Sequence, residues 1–224
     1  MSEEKLDELK SLLVNGAKFI FQKGLVENNE GNVSVRVGKA DEYLITPTAN
    51  QYDQLTKEQI VHMSFDGVAL SSGKLPSSEV KLHVALYKSR PKVQCVIHTH
   101  STFATMLSVV RKNIPIIMEE QVVYLGGSIE ISSYGEAHTD DIGSVAVNAL
   151  GYKNAALLAN HGVIACGKSV NNAVKSAELV EKLAKVYWGT LILGNPYTLE
   201  EENLDKFFLM FKQLFATAPR SMLK

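Results

Sequence analysis

Leu6, Leu9, Leu12, Leu13, Ala17, Ile20 and Phe21 recur at helical spacing with polar residues between them, and Gly24 follows as a stop. That spacing predicts an amphipathic helix over residues 3–23. The period then falls to two: VSVRV at 33–37 and YLIT at 43–46 read as short strands joined by a polar turn. VHMSF at 61–65 and VALS at 68–71 flank Asp66-Gly67, a strong hairpin signal. A helix is expected from a cap at Ser77 or Ser78 to about Ser89, where Pro91 stops it. VQCVIHTH at 93–100 is almost continuously apolar up to its end, the pattern of a buried strand. Beyond it the chain predicts a helix at 101–110, a strand at 128–132, a helix at 140–150 and strands at 154–159 and 163–166. A long helix over 171–191 and a helical tail over 199–214 complete the pattern, the tail carrying Leu204, Phe207, Phe208, Phe211 and Leu214 on one face. Hairpins mixed with helices predict an α/β or α+β layered fold on a mixed or antiparallel sheet.

Composition narrows this picture without redirecting it. The 224 residues are 46% hydrophobic and 21% charged, enough for a buried core without disulfide or metal staples. No repeat, low-complexity tract or linker divides the chain, so a single domain over residues 1–224 is expected. A net charge of −1 gives no long-range field for nucleic acid or an anionic membrane, and no apolar run is long enough to span a bilayer. Neither kind of partner is expected. MSEEKLDELK lacks the features of a signal peptide, and Cys95 and Cys166 sit in apolar contexts without CxxC spacing, so a cytoplasmic location is expected.

The chemistry concentrates in a few short segments. His98 and His100 stand two residues apart at the end of the apolar strand, which places both rings on one face as a pair of ligands for Zn²⁺ or another divalent cation. The pair alone is a weak signal; His161, in the loop Asn160-His161-Gly162 between two apolar strands, strengthens it. Three histidines leave a coordination position open, the pattern of a catalytic metal rather than a structural one. Pro76-Ser77-Ser78-Glu79 offers hydroxyls and free N–H groups at a helix start, which suits a phosphate, although an ordinary serine cap has the same sequence. Glu79 beside that cradle could do acid/base work or simply complement the helix dipole. Gly31-Asn32 and Thr46-Pro47-Thr48-Ala49 are further candidates, each equally readable as turn chemistry. His83, one helical turn after Glu79, could support it or be a satisfied histidine of its own.

GNVSVR, LITPT, KLPSSE, VIHTH and NHGVIAC, in that order, resemble the class II aldolase family over nearly the whole chain. That family includes L-fuculose-1-phosphate aldolase, sugar-phosphate 4-epimerases and dehydratases. The resemblance implies a three-layer α/β/α sandwich around a mainly antiparallel mixed sheet, and usually a homotetramer with sites at subunit interfaces. It gives His98, His100 and His161 the role of zinc ligands, and Glu79 that of catalytic acid/base and additional ligand when substrate is absent. It gives Gly31, Asn32, Thr48, Ala49, Ser77 and Ser78 the substrate phosphate. The implied reaction cleaves a ketose phosphate of the L-fuculose 1-phosphate kind to dihydroxyacetone phosphate and an aldehyde, through a metal-stabilised enediolate.

The likeness has gaps. Met118-Glu119-Glu120-Gln121 stands where the fuculose enzyme has a catalytic tyrosine, a second tyrosine is replaced near Leu214, and Ala49 stands where glycine is usual. Glu119 or Glu120 could supply an acid/base in the tyrosine's place, as in the dehydratase branch, or could be a solvated face. The alternatives are therefore an epimerase or dehydratase on the same scaffold and, in another class, a non-catalytic metal-binding interaction module.

Overall fold

The structure, a computed structural model, describes residues 2–28, 30–49, 51–219 and 222. Its organising element is one six-stranded sheet in the order β3-β2-β1-β4-β6-β5, built from β1 (Asn32–Arg36), β2 (Glu42–Ile45), β3 (Val61–Ser64), β4 (Cys95–Thr99), β5 (Ala155–Leu158) and β6 (Gly162–Gly167). Every ladder is antiparallel. Among the described residues the parallel contact is an isolated bridge, Ile131 to Leu157.

The alternation of side chains along each strand splits the core into two layers. Cys95, Ile97, Leu157, Val163 and Ala165 point to one face, against α1 (Glu3–Gln22), α3 (Thr102–Val109) and α6 (Val170–Leu193). Val96, Ala156, Leu158, Ile164 and Cys166 point to the other, against α2 (Val80–Ser89) and α5 (Asp140–Leu150). The sandwich is thus α/β/α, as expected, because a strand buried on both faces must be covered by helices on both.

The helices begin where short polar side chains can cap them. Ser2 accepts from the Lys5 amide at 3.4 Å, Thr139 from Asp141 at 3.3 Å and Ser169 from Asn172 at 3.2 Å. α2 differs from expectation in a way that matters. Its cap position is Glu79, not a serine, and the Ser77 hydroxyl accepts the Glu79 amide at 3.3 Å. The helix starts later than predicted, which leaves the Glu79 carboxylate free to turn into the interior.

Three other expectations change. Residues 128–132 form bridges to Ile114 and Leu157 but no strand, since each side supplies too few consecutive partners for a ladder. Residues 68–71 fold back on β3 through Ser64–Val68 and Leu70–His62 hydrogen bonds without becoming a seventh strand. The tail is not one helix: α7 (Asp205–Met210) gives way to a wider π turn at Phe211–Phe215, so Leu204 and Phe211 are buried while Leu214 is exposed. The seven-residue α4 (Glu119–Leu125) was not predicted. No described helix is long and apolar enough to cross a membrane.

Candidate active site

The site assembles at one end of the sheet, where β1, β4 and β6 run side by side. Asn32 of β1 is the register partner of His98 of β4, and His98 in turn faces Ile164 of β6. His161 comes from the tight turn before β6, held by its own amide to the Leu158 carbonyl at 3.0 Å. That turn requires Gly162: a β-carbon there would collide with the Thr99 carbonyl, so only glycine lets the two strands close beside His100. Gly31 is constrained likewise, with φ of +70° and a β-carbon position 2.8 Å from the His98 carbonyl.

The four candidate ligands converge. His98 Nε2 lies 3.1 Å from Glu79 Oε2, His161 Nε2 3.1 Å from Glu79 Oε1, and His98 Nε2 2.9 Å from His100 Nε2. One ligand atom from each histidine falls within 4.8 Å of the others. The opposite edges of two rings are already committed. His98 Nδ1–H donates to the Val163 carbonyl at 2.9 Å, and His100 Nδ1 faces Glu30 Oε2 at 3.4 Å. These contacts fix the tautomers and turn the Nε2 lone pairs toward each other, as carboxylate and carbonyl partners do behind metal-bound histidines. Two facing lone pairs repel unless a cation stands between them, so the donor set fits a divalent metal.

Burial reinforces that chemistry. It pushes His98 down to about 3 against the opposing pull of Glu79, which keeps the ring neutral and able to ligate. For Glu79 burial works in the other direction, but His98, His161 and the Asn32 amide outweigh it and hold the carboxyl below the ordinary range.

A cavity of about 210 Å³ opens from this cluster. Its walls include Gly31, Asn32, Thr48, Ser77, Ser78 and Glu79 together with His100 and His161. Two of the candidate segments are physically joined: Thr48 donates to the Leu75 carbonyl at 3.0 Å and Ser77 to the Thr46 carbonyl at 3.1 Å. A phosphate there would meet hydroxyls and a helix start, with no lysine or arginine in the wall. Ala49 sits just outside the wall, exposed and with φ of 53°, the left-handed conformation that glycine adopts more readily.

Two titratable wall residues, Glu30 and His138, were not predicted as site residues. Glu30 could have been suspected as an acid abutting the Gly31-Asn32 pair. His138, in the polar run YGEAHTDD, has its Nδ1 3.3 Å from the Ser78 carbonyl and a φ of 67°. A β-carbon-bearing residue held in that conformation beside a cavity is a mark of functional sites. The structure does not bring Glu119 and Glu120 to this cavity. They lie on α4 in the layer of α6, where Glu120 pairs with Lys182 at 2.6 Å and Glu119 is exposed.

Residues 11–188 match the family described as Class II Aldolase and Adducin N-terminal domain. The chain is 37% identical over 190 residues to an L-fuculose phosphate aldolase of Escherichia coli strain K12, covering 84% of this chain and 87% of that protein. It is 34% identical over 204 residues to a 5-methylthioribulose-1-phosphate/5-deoxyribulose-1-phosphate aldolase of Rhodospirillum rubrum, covering 91% of each. A solved structure of L-fuculose 1-phosphate aldolase superposes with a TM-score of 0.87 at 28% identity, over 95% of this chain and 98% of that one.

Proposed function

The chain belongs to the class II aldolase family and is an enzyme of the lyase type, and on that premise we propose that it is a zinc-dependent aldolase acting on a ketose phosphate of the L-fuculose 1-phosphate kind. The products would be dihydroxyacetone phosphate and an aldehyde. The observation that carries this reading is the convergence of His98 and His161 Nε2 on the Glu79 carboxylate, with His100 Nε2 against His98 Nε2, beside a cavity whose wall carries the Thr48, Ser77 and Ser78 hydroxyls.

His98, His100 and His161 would hold the metal, with Glu79 completing the set before substrate arrives. A divalent ion bound there supplies Lewis acidity, drawing electron density from the substrate's carbonyl and hydroxyl oxygens. The chain's own residues do the rest. Ser77, Ser78, Thr48, Ala49 and the Gly31-Asn32 backbone would seat the phosphate through hydroxyl and N–H donors, which suits a protein whose net charge of −1 offers no general pull. Glu79 would stand beside both the histidine ligands and the hydroxyl-lined wall. As the C4 hydroxyl becomes the aldehyde carbonyl its proton would pass to the ionised Glu79 carboxylate, the electron pair of the breaking C3–C4 bond would remain on the three-carbon fragment, and Glu79 would return the proton to C3 to complete dihydroxyacetone phosphate. Glu79 is buried and held by Asn32, His98 and His161.

The whole chain would work as one domain in the cytoplasm, in a homotetramer. Exposed Val109, Val110, Ile192 and Leu193 at the ends of α3 and α6 support burial against other copies. The aldehyde end of the site would then be closed by a neighbour, and Glu119 or Glu120 presented there is the specific feature favouring a second reading, an epimerase or dehydratase on a five-carbon phosphate. The test is to load the protein with zinc, supply a panel of ketose 1- and 5-phosphates and follow products by NMR. Dihydroxyacetone phosphate with a free aldehyde is expected; an isomeric sugar would replace the reading with epimerisation, and loss of water with dehydration.

A further inference from the structure

Behind Glu79 lies a chain of hydrogen bonds that the metal and the cavity do not explain. Asn32 Nδ2 donates to Glu79 Oε2 at 2.9 Å. The other end of that amide, Oδ1, is in short contact with His83 Nε2. His83 Nδ1 is 2.6 Å from Ser34 Oγ, which is 2.7 Å from the Tyr87 hydroxyl. All five residues are buried: Glu79 is 6% exposed, Asn32 3%, Tyr87 1%, and His83 and Ser34 0%.

The direction of every proton in this chain follows from its end. An ionised carboxylate only accepts, so the Asn32 amide must turn its NH₂ toward Glu79. Its oxygen then faces His83 and can only accept, so His83 must carry its proton on Nε2. A ring neutral because burial lowers its pKa to about 4 leaves Nδ1 bare, to accept the Ser34 hydroxyl. Ser34 in turn accepts from Tyr87. Reversing any one link sets two lone pairs or two protons against each other where no water can intervene, at the cost of an unsatisfied buried group.

We propose that His83 is a positioning residue for the reaction: its Nε2–H tautomer fixes which end of the Asn32 amide meets Glu79. It thereby holds the carboxylate in the orientation that faces His98 and His161. This rests on the reading of Glu79 as acid/base and ligand, and goes beyond it by assigning the device that aims it. Without the Nε2 donor, the amide loses one of the two partners that set its orientation, its oxygen is left buried and unpaired, and only the carboxylate itself holds the Asn32 contact in place.

Three measurements test this, and the first is independent of the assigned reaction. Long-range proton–nitrogen NMR of the zinc-loaded protein at neutral pH is expected to show His83 as the neutral Nε2–H tautomer; an Nδ1–H or doubly protonated ring would overturn the proposal. Next, His83→Gln places an amide donor where Nε2 was, whereas His83→Met fills the space with none. By calorimetry the methionine variant is expected to bind zinc about 10-fold more weakly than wild type and the glutamine variant within about threefold, on the scale of outer partners of metal ligands. Finally, kcat should fall about 10- to 100-fold for methionine with KM nearly unchanged, and recover substantially for glutamine. Equal losses in the two variants, at matched thermal midpoints, would reduce His83 to a packing role. If no sugar phosphate is turned over by wild type, the functional reading fails, while the tautomer and the zinc titrations still decide on His83.

Discussion

The histidine centre and the segment from α4 to the tail differ in how their side chains are held. In the centre, Glu79 and His98 are buried, and each carries partners on at least two sides drawn from strands far apart in sequence. In the second region Glu119, Leu209 and Leu214 are exposed, and in the charge pair Glu120–Lys182 the side chains are 37% and 53% exposed. Geometry imposed by a sheet is complete within one chain. Geometry carried on a short helix and a tail that changes its winding leaves its outer face for something else to finish. The residues proposed for metal and phosphate therefore lie in the self-contained region, and Glu119 and Glu120 lie outside the described cavity beside them.

That contrast can be broken by mutation. The largest effect is expected for His98→Ala, which should abolish metal retention in elemental analysis; a variant still holding one zinc tightly would remove His98 from the ligand set. Glu79→Gln comes next, keeping most of its metal while turnover drops about 10²- to 10⁴-fold, the usual worth of a positioned acid/base. Near-normal rates there would leave the centre without its acid. Third is an effect of pH on stability. Burial pushes His83 down from the ordinary 6.5 to about 4, so as pH falls the unfolded chain binds its proton first. Stability should hold above about pH 6.5 and decline toward pH 4 by roughly 3 kcal/mol from this group. Urea midpoints of metal-free protein should show the slope, and His83→Gln should flatten it. The smallest effect is expected in the other region: Glu119→Gln and Glu120→Gln should each change stability by less than about 1 kcal/mol, as for exposed charges. Their turnover sharpens the comparison, since a loss confined to the assembled oligomer would mark α4 as the missing wall of a neighbour's site.

What could be read from the sequence follows the same division. His98 and His100 were legible because period-two spacing puts both on one face, and the helices with caps and long apolar stripes, α1 and α6, were legible to within a residue or two. Glu30 was not, because an acid next to glycine reads as turn chemistry until β1 and β4 bring it to His100. The strand VSVRV was misleading in an instructive way. Its alternation looks like a strand with one wet face, yet all of Asn32–Arg36 is buried: Asn32 and Ser34 reach Glu79 and His83, and Arg36 donates to the Tyr87 and Val93 carbonyls. His83 was visible as a neighbour of Glu79 on the helix, but the link between them passes through Asn32, 47 positions away from Glu79 in sequence. α4 escaped because seven residues carry too little periodicity to stand out.

β1 carries a consequence for how this molecule folds. Because its two faces are chemically opposite, slipping its pairing with β4 by one residue would drive Asn32 and Ser34 into the layer of α1 and α6 and turn Val33 and Val35 toward Glu79. Neither misplacement can be tolerated by water or by small adjustments, so a wrong register is rejected as strongly as an unfolded chain. The strand acts as a proofreader: a molecule in which β1 has found its place already has Asn32 against Glu79 and Ser34 against His83.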